Sequence, residues 1–179
     1  GTPMSSLMAW IGVLEMEGVP SDSLREMNRD IERLNMVVDR FSKIGSKPKL
    51  VSVDVTEVVQ STIQYMRPRI GAQVSMSFDS QAKLKQVPLS PPLFSWVLEN
   101  LIRNAVDAME GVGSLTLNLF VENEAIALEI TDTGKGIPRS RWREVFAPGF
   151  TTKSRGWGLG LSLTKRIIEE YHQGKIFVK

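Results

Sequence analysis

The sequence contains no cysteine and a single histidine, His172. The first absence excludes disulfides, thiol nucleophiles and cysteine-ligated metals; the second excludes a histidine metal cluster. No run of like charge occurs. The 22 lysines and arginines are interspersed with 20 acidic residues, for a net charge of +2. A nucleic-acid partner calls for a basic stripe, which is missing, so none is expected. No apolar run reaches the roughly 20 residues of a membrane span. No signal peptide precedes the first helical pattern, and a cytoplasmic setting is expected. The chain opens on Gly1-Thr2-Pro3, already entering a periodic pattern, and closes on Ile176-Phe177-Val178-Lys179, which reads as an unfinished strand. It is expected to be a fragment of a longer protein.

Residues 3–17 present Met4, Leu7, Ile11 and Leu14 at steps of three and four, the period of a helix, with Pro3 suited to its first turn and Thr2 to its cap. Gly18-Val19-Pro20 breaks the pattern. Ser23 and Glu26 have the spacing of a capping box, and a second helix is expected to run to about Ile44. Leu24, Met27, Ile31, Leu34, Val38 and Phe41 form its heptad seam. Two short helices bury little by themselves. The hairpin is expected to pair with a second copy as a dimeric four-helix bundle; the alternative is that it packs on its own domain. Gly45-Ser46-Lys47-Pro48 reads as a linker, dividing the chain into a hairpin, 1–45, and a second domain, 46–179.

The second domain mixes periods. Strands are expected at Leu50–Val53, at 73–79, at Leu115–Val121 and at Ile126–Ile130, with Glu122-Asn123-Glu124 joining the last two as a hairpin. Helices are expected from Asp54 or Thr56 to about Arg69, from Ser90-Pro91-Pro92 to about Glu110, near 139–146, and from about Leu159 to Tyr171, followed by a final strand. Strict βαβ alternation is absent. The fold class is therefore α+β: a sandwich with helices on one face of a sheet.

Three short signals carry the chemistry. At about 100° per residue, Asn100, Asn104 and Asp107 fall within about 60° of one another on their helix. Such a strip is either a solvated face or a set of hard oxygen ligands suited to Mg²⁺, which takes the rest of its shell from water and phosphates. Asp132 shares the inward face of its strand with Ile126, Leu128 and Ile130, and an inward carboxylate needs a partner or a ligand. It could accept from the exocyclic amine of adenine, with Gly134 and Gly136 bringing backbone close to a flat ring; the plain alternative is an Asp-x-Gly turn. Gly156, Gly158 and Gly160 precede a helix, where free backbone N–H groups and the helix dipole favour phosphate. No Gly-Lys-Ser/Thr follows, so this is not a P-loop. Lys153, Arg155 and Lys165 could add charge toward phosphates, although Lys165 reads as a surface cation. Residues 145–154, with Phe146 and Phe150 as packing anchors, could act as a lid.

Taken together, Asn100-x-x-x-Asn104-Ala105, Asp132-x-Gly134-x-Gly136, Phe146-x-x-x-Phe150 and Gly156-x-Gly158-x-Gly160-Leu161 resemble the boxes of the sensor histidine kinases, within the gyrase, chaperone and mismatch-repair ATPase superfamily. Thr2-Pro3-Met4-Ser5-Ser6-Leu7 is similar to the stretch that follows the phosphoacceptor histidine in such kinases. The resemblance implies an ATP-binding domain of the histidine kinase and gyrase type. It implies that Asn104 coordinates Mg²⁺ with Asn100 assisting, and that Asp132 binds the adenine amine. Gly134, Gly136 and Ile137 would line the base, and Lys153, Gly158, Leu159 and Gly160 would lie toward the phosphates. Glu99 would act as a general base and Thr2 in hydrolysis of the phosphorylated partner.

The implied activity is transfer of the γ-phosphoryl group of Mg-ATP to a histidine and on to an aspartate of a response-regulator receiver domain, by a homodimer forming the cytoplasmic part of a sensor. By spacing, the acceptor histidine would precede Gly1, and His172 does not match it, so this chain is expected not to phosphorylate itself. Asp107 stands where many such kinases carry lysine or tyrosine. The competing readings are a clamp-type ATPase and a nonenzymatic dimeric nucleotide-binding scaffold.

Overall fold

A computed structural model describes residues 3–28, 30–31, 48–81, 86–153 and 158–179. The chain divides into two compact units, Gly1–Pro48 and Lys49–Lys179.

In the first unit, helix α1 spans Pro3–Met16 and helix α2 starts at residue 21 and is described to residue 31. Ile11, Leu24 and Ile31 are buried together, with Leu14 and Val19 packed against them. The turn between the helices ends on Pro20, whose carbonyl accepts from the N–H groups of Ser23 and Leu24. Ser23 is therefore inside the first turn and does not cap it, contrary to the capping-box spacing. Proline's fixed φ directs the chain into the helix, and the first helical position follows it directly. Helix α1 carries apolar side chains on more than its buried face. Met8, Trp10, Val13 and Met16 are exposed in addition to Leu7. Leu34, Val38, Phe41 and the expected linker 45–47 lie outside the described residues, as does Thr2.

In the second unit, strand β1 (Val51–Val53) pairs antiparallel with β3 (Val87–Leu89). The main sheet has the order β2 (Val74–Ser80), β4 (Gly113–Glu122), β5 (Ala125–Asp132). β2 runs parallel to β4, and the chain crosses between them through β3 and helix α4, Pro91–Ala108. A parallel pair requires a long crossover of this kind, whereas β4 and β5 are antiparallel and need only a tight turn. Asn123 and Glu124 form that turn, both at positive φ (49° and 65°), the twist that matches flanking strands.

Helix α3 (Val55–Met66) starts at Asp54, whose Oδ1 accepts from Thr56 N at 2.8 Å. α3 and α4 cover one face of the main sheet. Val59, Ile63 and Met66 of α3 meet Leu98, Ile102 and Ala105 of α4 and Leu115, Leu117 and Leu119 of β4. Those leucines alternate with Thr116 and Asn118, so a period of two sends one face into the core. Helix α5 (Gly160–Arg166) continues as a π-helical turn, Ile167–Tyr171, and both pack on α4.

Two expectations are corrected. Residues 139–146 form two 3-10 turns, Arg139–Arg141 and Glu144–Phe146, rather than one helix. Residues 173–179 form no strand. Gln173 adopts a left-handed φ of 53° and Gly174 N donates to Ile168 O, which closes the end of the π-helical turn; beyond it, the Lys179 side chain pairs with Glu129 of β5 at 3.3 Å without strand pairing of the backbone.

Candidate functional site

Helix α4 is the spine on which the three signals meet. Pro91 and Pro92 occupy its first turn, where missing N–H groups cost nothing. Its core side is fixed by Leu98, Ile102 and Ala105, which leaves Asn100, Asn104 and Asp107 on another flank.

Each of these positions meets a different segment. The Asn100 amide donates from Nδ2 to Thr164 Oγ1 at 3.0 Å, and Gly160 opens α5 directly against the same amide. Asn104 Oδ1 accepts from Lys153 Nζ at 3.0 Å. The same ammonium lies 2.5 Å from Asp107 Oδ2. At the next residue, the Ala108 carbonyl accepts from Lys135 N at 3.2 Å, which seats the loop after β5 on the end of α4. From residue 100 to residue 108 the helix rises about 12 Å, so the three segments form a continuous row along one side.

Two glycines make the row possible. A Cβ on Gly134 would stand 2.6 Å from the backbone carbon of Ala108 and 2.8 Å from Asp132 Oδ1. Gly158 has φ +64°, and a Cβ there would stand 2.3 Å from the backbone carbon of Gly149. Only a residue without a side chain allows these approaches, and the second also needs the left-handed conformation. Gly149 N donates to Gly158 O at 3.1 Å, closing the loop at that point.

Asp132 ends β5 opposite the fully buried Leu115, and its Oδ1 accepts from Gly134 N at 2.8 Å. Gly136 has a positive φ of 67°, and Ile137 is exposed. The Ile137 carbonyl accepts from Trp142 Nε1 at 2.9 Å, which ties this loop to the following 3-10 turns. Leu159 immediately precedes α5 and is half-buried.

Glu99 is set apart from this row. It lines a depression of about 150 Å³ with Ser61, Thr62, Tyr65 and Ser95, between α3 and α4, and lies 3.7 Å from Arg103. A larger groove of about 410 Å³ opens nearby between Met66, Arg69, Ile70, Arg103, Val106 and Asp107. Lys165 pairs with Glu169 at 3.9 Å and lies over the Phe146 ring at 5.7 Å, in keeping with a surface cation. Arg155 and Gly156 lie outside the described residues.

Three side-chain contacts that support this region were not read from the sequence. Thr164 is fully buried and receives the Asn100 amide. Its signal was a hydroxyl on the apolar side of α5, between Leu163 and Ile167. Thr133 Oγ1 accepts from Ser114 N at 3.0 Å, anchoring the loop after β5 to β4. His172 Nε2 accepts from Ser90 N at 3.0 Å, and its Nδ1 donates to Ile167 O at 2.9 Å, so the ring ties the start of α4 to the end of the last helix. Burial lowers the His172 pKa from its ordinary 6.5, against a smaller raising effect of the Ile167 carbonyl.

Among the described residues, no group of three or more His, Cys, Asp or Glu could hold a metal ion. Any cation at this row would draw on few protein oxygens, as Mg²⁺ does when waters and phosphates complete its shell. The donor set fits: the Asn104 and Asp107 oxygens already converge on one cationic centre, the Lys153 ammonium. Among the described residues, no helix is long and apolar enough to cross a membrane.

Residues 90–179 match the family described as histidine kinase-, DNA gyrase B-, and HSP90-like ATPase. The sensor histidine kinase ZraS of Klebsiella oxytoca is 31% identical over 154 residues, covering 84% of this chain and 33% of that protein. The chain thus spans about a third of the length of such curated relatives. The nucleotide-free catalytic domain of histidine kinase ThkA superposes with a TM-score of 0.66 at 26% identity, over 72% of this chain and 85% of that one. Histidine kinase ThkA in complex with response regulator protein TrrA gives a TM-score of 0.70 over 97% of this chain and 54% of that one, a likeness of fold alone at 19% identity. The chain belongs to the histidine kinase-, DNA gyrase B- and HSP90-like ATPase family, and its second unit carries an ATP-binding domain of the sensor histidine kinase type.

Proposed function

We propose that the second unit binds Mg-ATP along α4 and that the whole protein uses it to phosphorylate a histidine and then a response-regulator aspartate. The observation that carries this reading is the row of contacts on one flank of α4, from Asn100 through Asn104 and Asp107 to Ala108. In this assignment Asp132 accepts from the adenine amine, with Gly134, Gly136 and Ile137 against the base. Asn104, assisted by Asn100, supplies oxygen to Mg²⁺. Lys153 and the Gly158-Leu159-Gly160 backbone hold the phosphates. Bound Mg²⁺ would neutralise phosphate charge; the protein's own work is to position groups and to exclude water. Glu99 faces α3, so a base role for it gains no support from its surroundings.

The acceptor histidine, the homodimer and the response regulator belong to the same proposal. The exposed Leu7, Trp10, Val13 and Met16 on an α1 whose Ile11 is already buried support a second apolar contact for that helix, as in a four-helix bundle. ThkA, of like fold, is known in complex with a response regulator protein. Thr2, assigned to hydrolysis of the phosphorylated partner, lies outside the described residues.

Calorimetry with Mg-ATP on this chain and on Asp132→Asn tests the site. Binding by the chain and its loss in the variant are expected. No binding at millimolar nucleotide would overturn the assignment and favour the scaffold reading.

A further inference from the structure

We propose that Asp107 sets the dependence of this site on divalent cation: with Asn104 it holds the Lys153 ammonium where the positive charge of Mg²⁺ is needed when nucleotide binds, so that ammonium and metal exchange. The inference rests on the nucleotide reading above and deepens it. The Asp107 carboxylate stands one turn from Asn104 on the same flank, and a single nitrogen bridges Asn104 Oδ1 at 3.0 Å and Asp107 Oδ2 at 2.5 Å. An ammonium and Mg²⁺ are both compact, strongly hydrated cations that prefer hard oxygen. Both side chains are about half exposed, at 43% for Lys153 and 55% for Asp107, so the pair is weak and readily exchanged.

The consequence is discrimination between metal-free and metal-bound nucleotide. A metal-free triphosphate draws Lys153 away from Asp107 and leaves a bare carboxylate beside its own negative charge. Mg²⁺ removes that conflict, because it satisfies Asp107 and Asn104 and releases Lys153 toward the phosphates. Asp107 thus opposes ATP alone and favours Mg-ATP, whereas a lysine or tyrosine at this position would lack that selectivity.

The test is a binding cycle. ATP affinity is measured by calorimetry in EDTA and in excess Mg²⁺, for this chain, Asp107→Asn, Asp107→Glu and Lys153→Met, with thermal unfolding as the check on folding. The ratio of the two affinities measures the coupling between metal and nucleotide. Asp107→Asn is expected to bind metal-free ATP more tightly and to reduce the ratio about tenfold, the scale of one screened charge beside a polyphosphate. Asp107→Glu keeps the ratio, and Lys153→Met increases it. A ratio within twofold of the parent in Asp107→Asn overturns the exchange. Failure of the parent chain to bind ATP in either condition instead removes the nucleotide site itself, and the two failures are thereby distinguished.

Discussion

His172 provides a pH experiment with a built-in control, because it is the sole histidine in the chain. Its Nε2 receives the Ser90 N–H at 3.0 Å and its Nδ1 donates to the Ile167 carbonyl at 2.9 Å, so the folded state needs the neutral ring with its proton on Nδ1. Burial lowers its pKa below the ordinary 6.5, while the unfolded ring takes up its proton near that value. Between those two values the unfolded chain binds more protons, and stability falls as pH falls. The His172 contribution is complete above pH 6.5 and is lost as pH drops through the lowered folded value. Protonation would set an N–H against the Ser90 N–H, which loses one hydrogen bond and leaves a donor unpaired at the head of α4. That costs about 1–2 kcal/mol for a half-buried group. At about 2–4 °C per kcal/mol for a domain of this size, the melting temperature should drop by about 2–8 °C. The assay is thermal unfolding from pH 8 to pH 5 on the parent chain and on His172→Gln, which keeps a donor and an acceptor but does not titrate. The carboxylates are common to both and cancel. Parallel curves for the two proteins would refute the reasoning.

Gly158→Ala should weaken nucleotide binding and lower stability by about 2–4 kcal/mol, summing the left-handed penalty and an overlap with backbone that cannot swing away, as checked by calorimetry and urea unfolding. Leu117→Ala, at a fully buried position beneath α4, should cost about 2–5 kcal/mol with no local effect on the site, read from the urea midpoint. Thr164→Val keeps volume but strips the acceptor from the Asn100 amide; it should cost about 1 kcal/mol in stability and loosen nucleotide binding, measured by the same two assays.

Much of the fold was legible because its information is local. The alternation of Leu115, Leu117 and Leu119 with Thr116 and Asn118 specifies a strand with one buried face wherever it is placed. Pro91-Pro92 marks the start of α4, and Leu98, Ile102 and Ala105 mark its core side, by the steric and periodic rules of any helix. The errors fell where local rules compete. Ser23 and Glu26 have capping-box spacing, but Pro20, three residues before Ser23, had already started the helix. Ile176-Phe177-Val178 has the composition of a strand, but a strand requires backbone pairing with an edge, and here the Lys179 side chain, rather than the backbone, reaches Glu129 of β5. The short strand β3 went unread because Val87-Pro88-Leu89 offers three residues with a central proline, which alone argue against a strand; pairing with β1 makes it one.

By itself, the sequence determined the residue types of the site and their order: the two asparagines and the acid one turn apart, the aspartate at a strand end, and the glycines that permit close backbone approach. It also determined the apolar faces that would have to be covered. Tertiary structure alone decided which of these groups meet. Lys153 reaches Asn104 across 49 residues, Thr164 receives Asn100 across 64, and His172 ties to Ser90 across 82. No local period encodes such distances; they follow from two helices and a sheet burying their apolar faces against each other. The same packing turned Glu99 toward α3, although it adjoins Asn100 in sequence, because successive residues on a helix point about 100° apart.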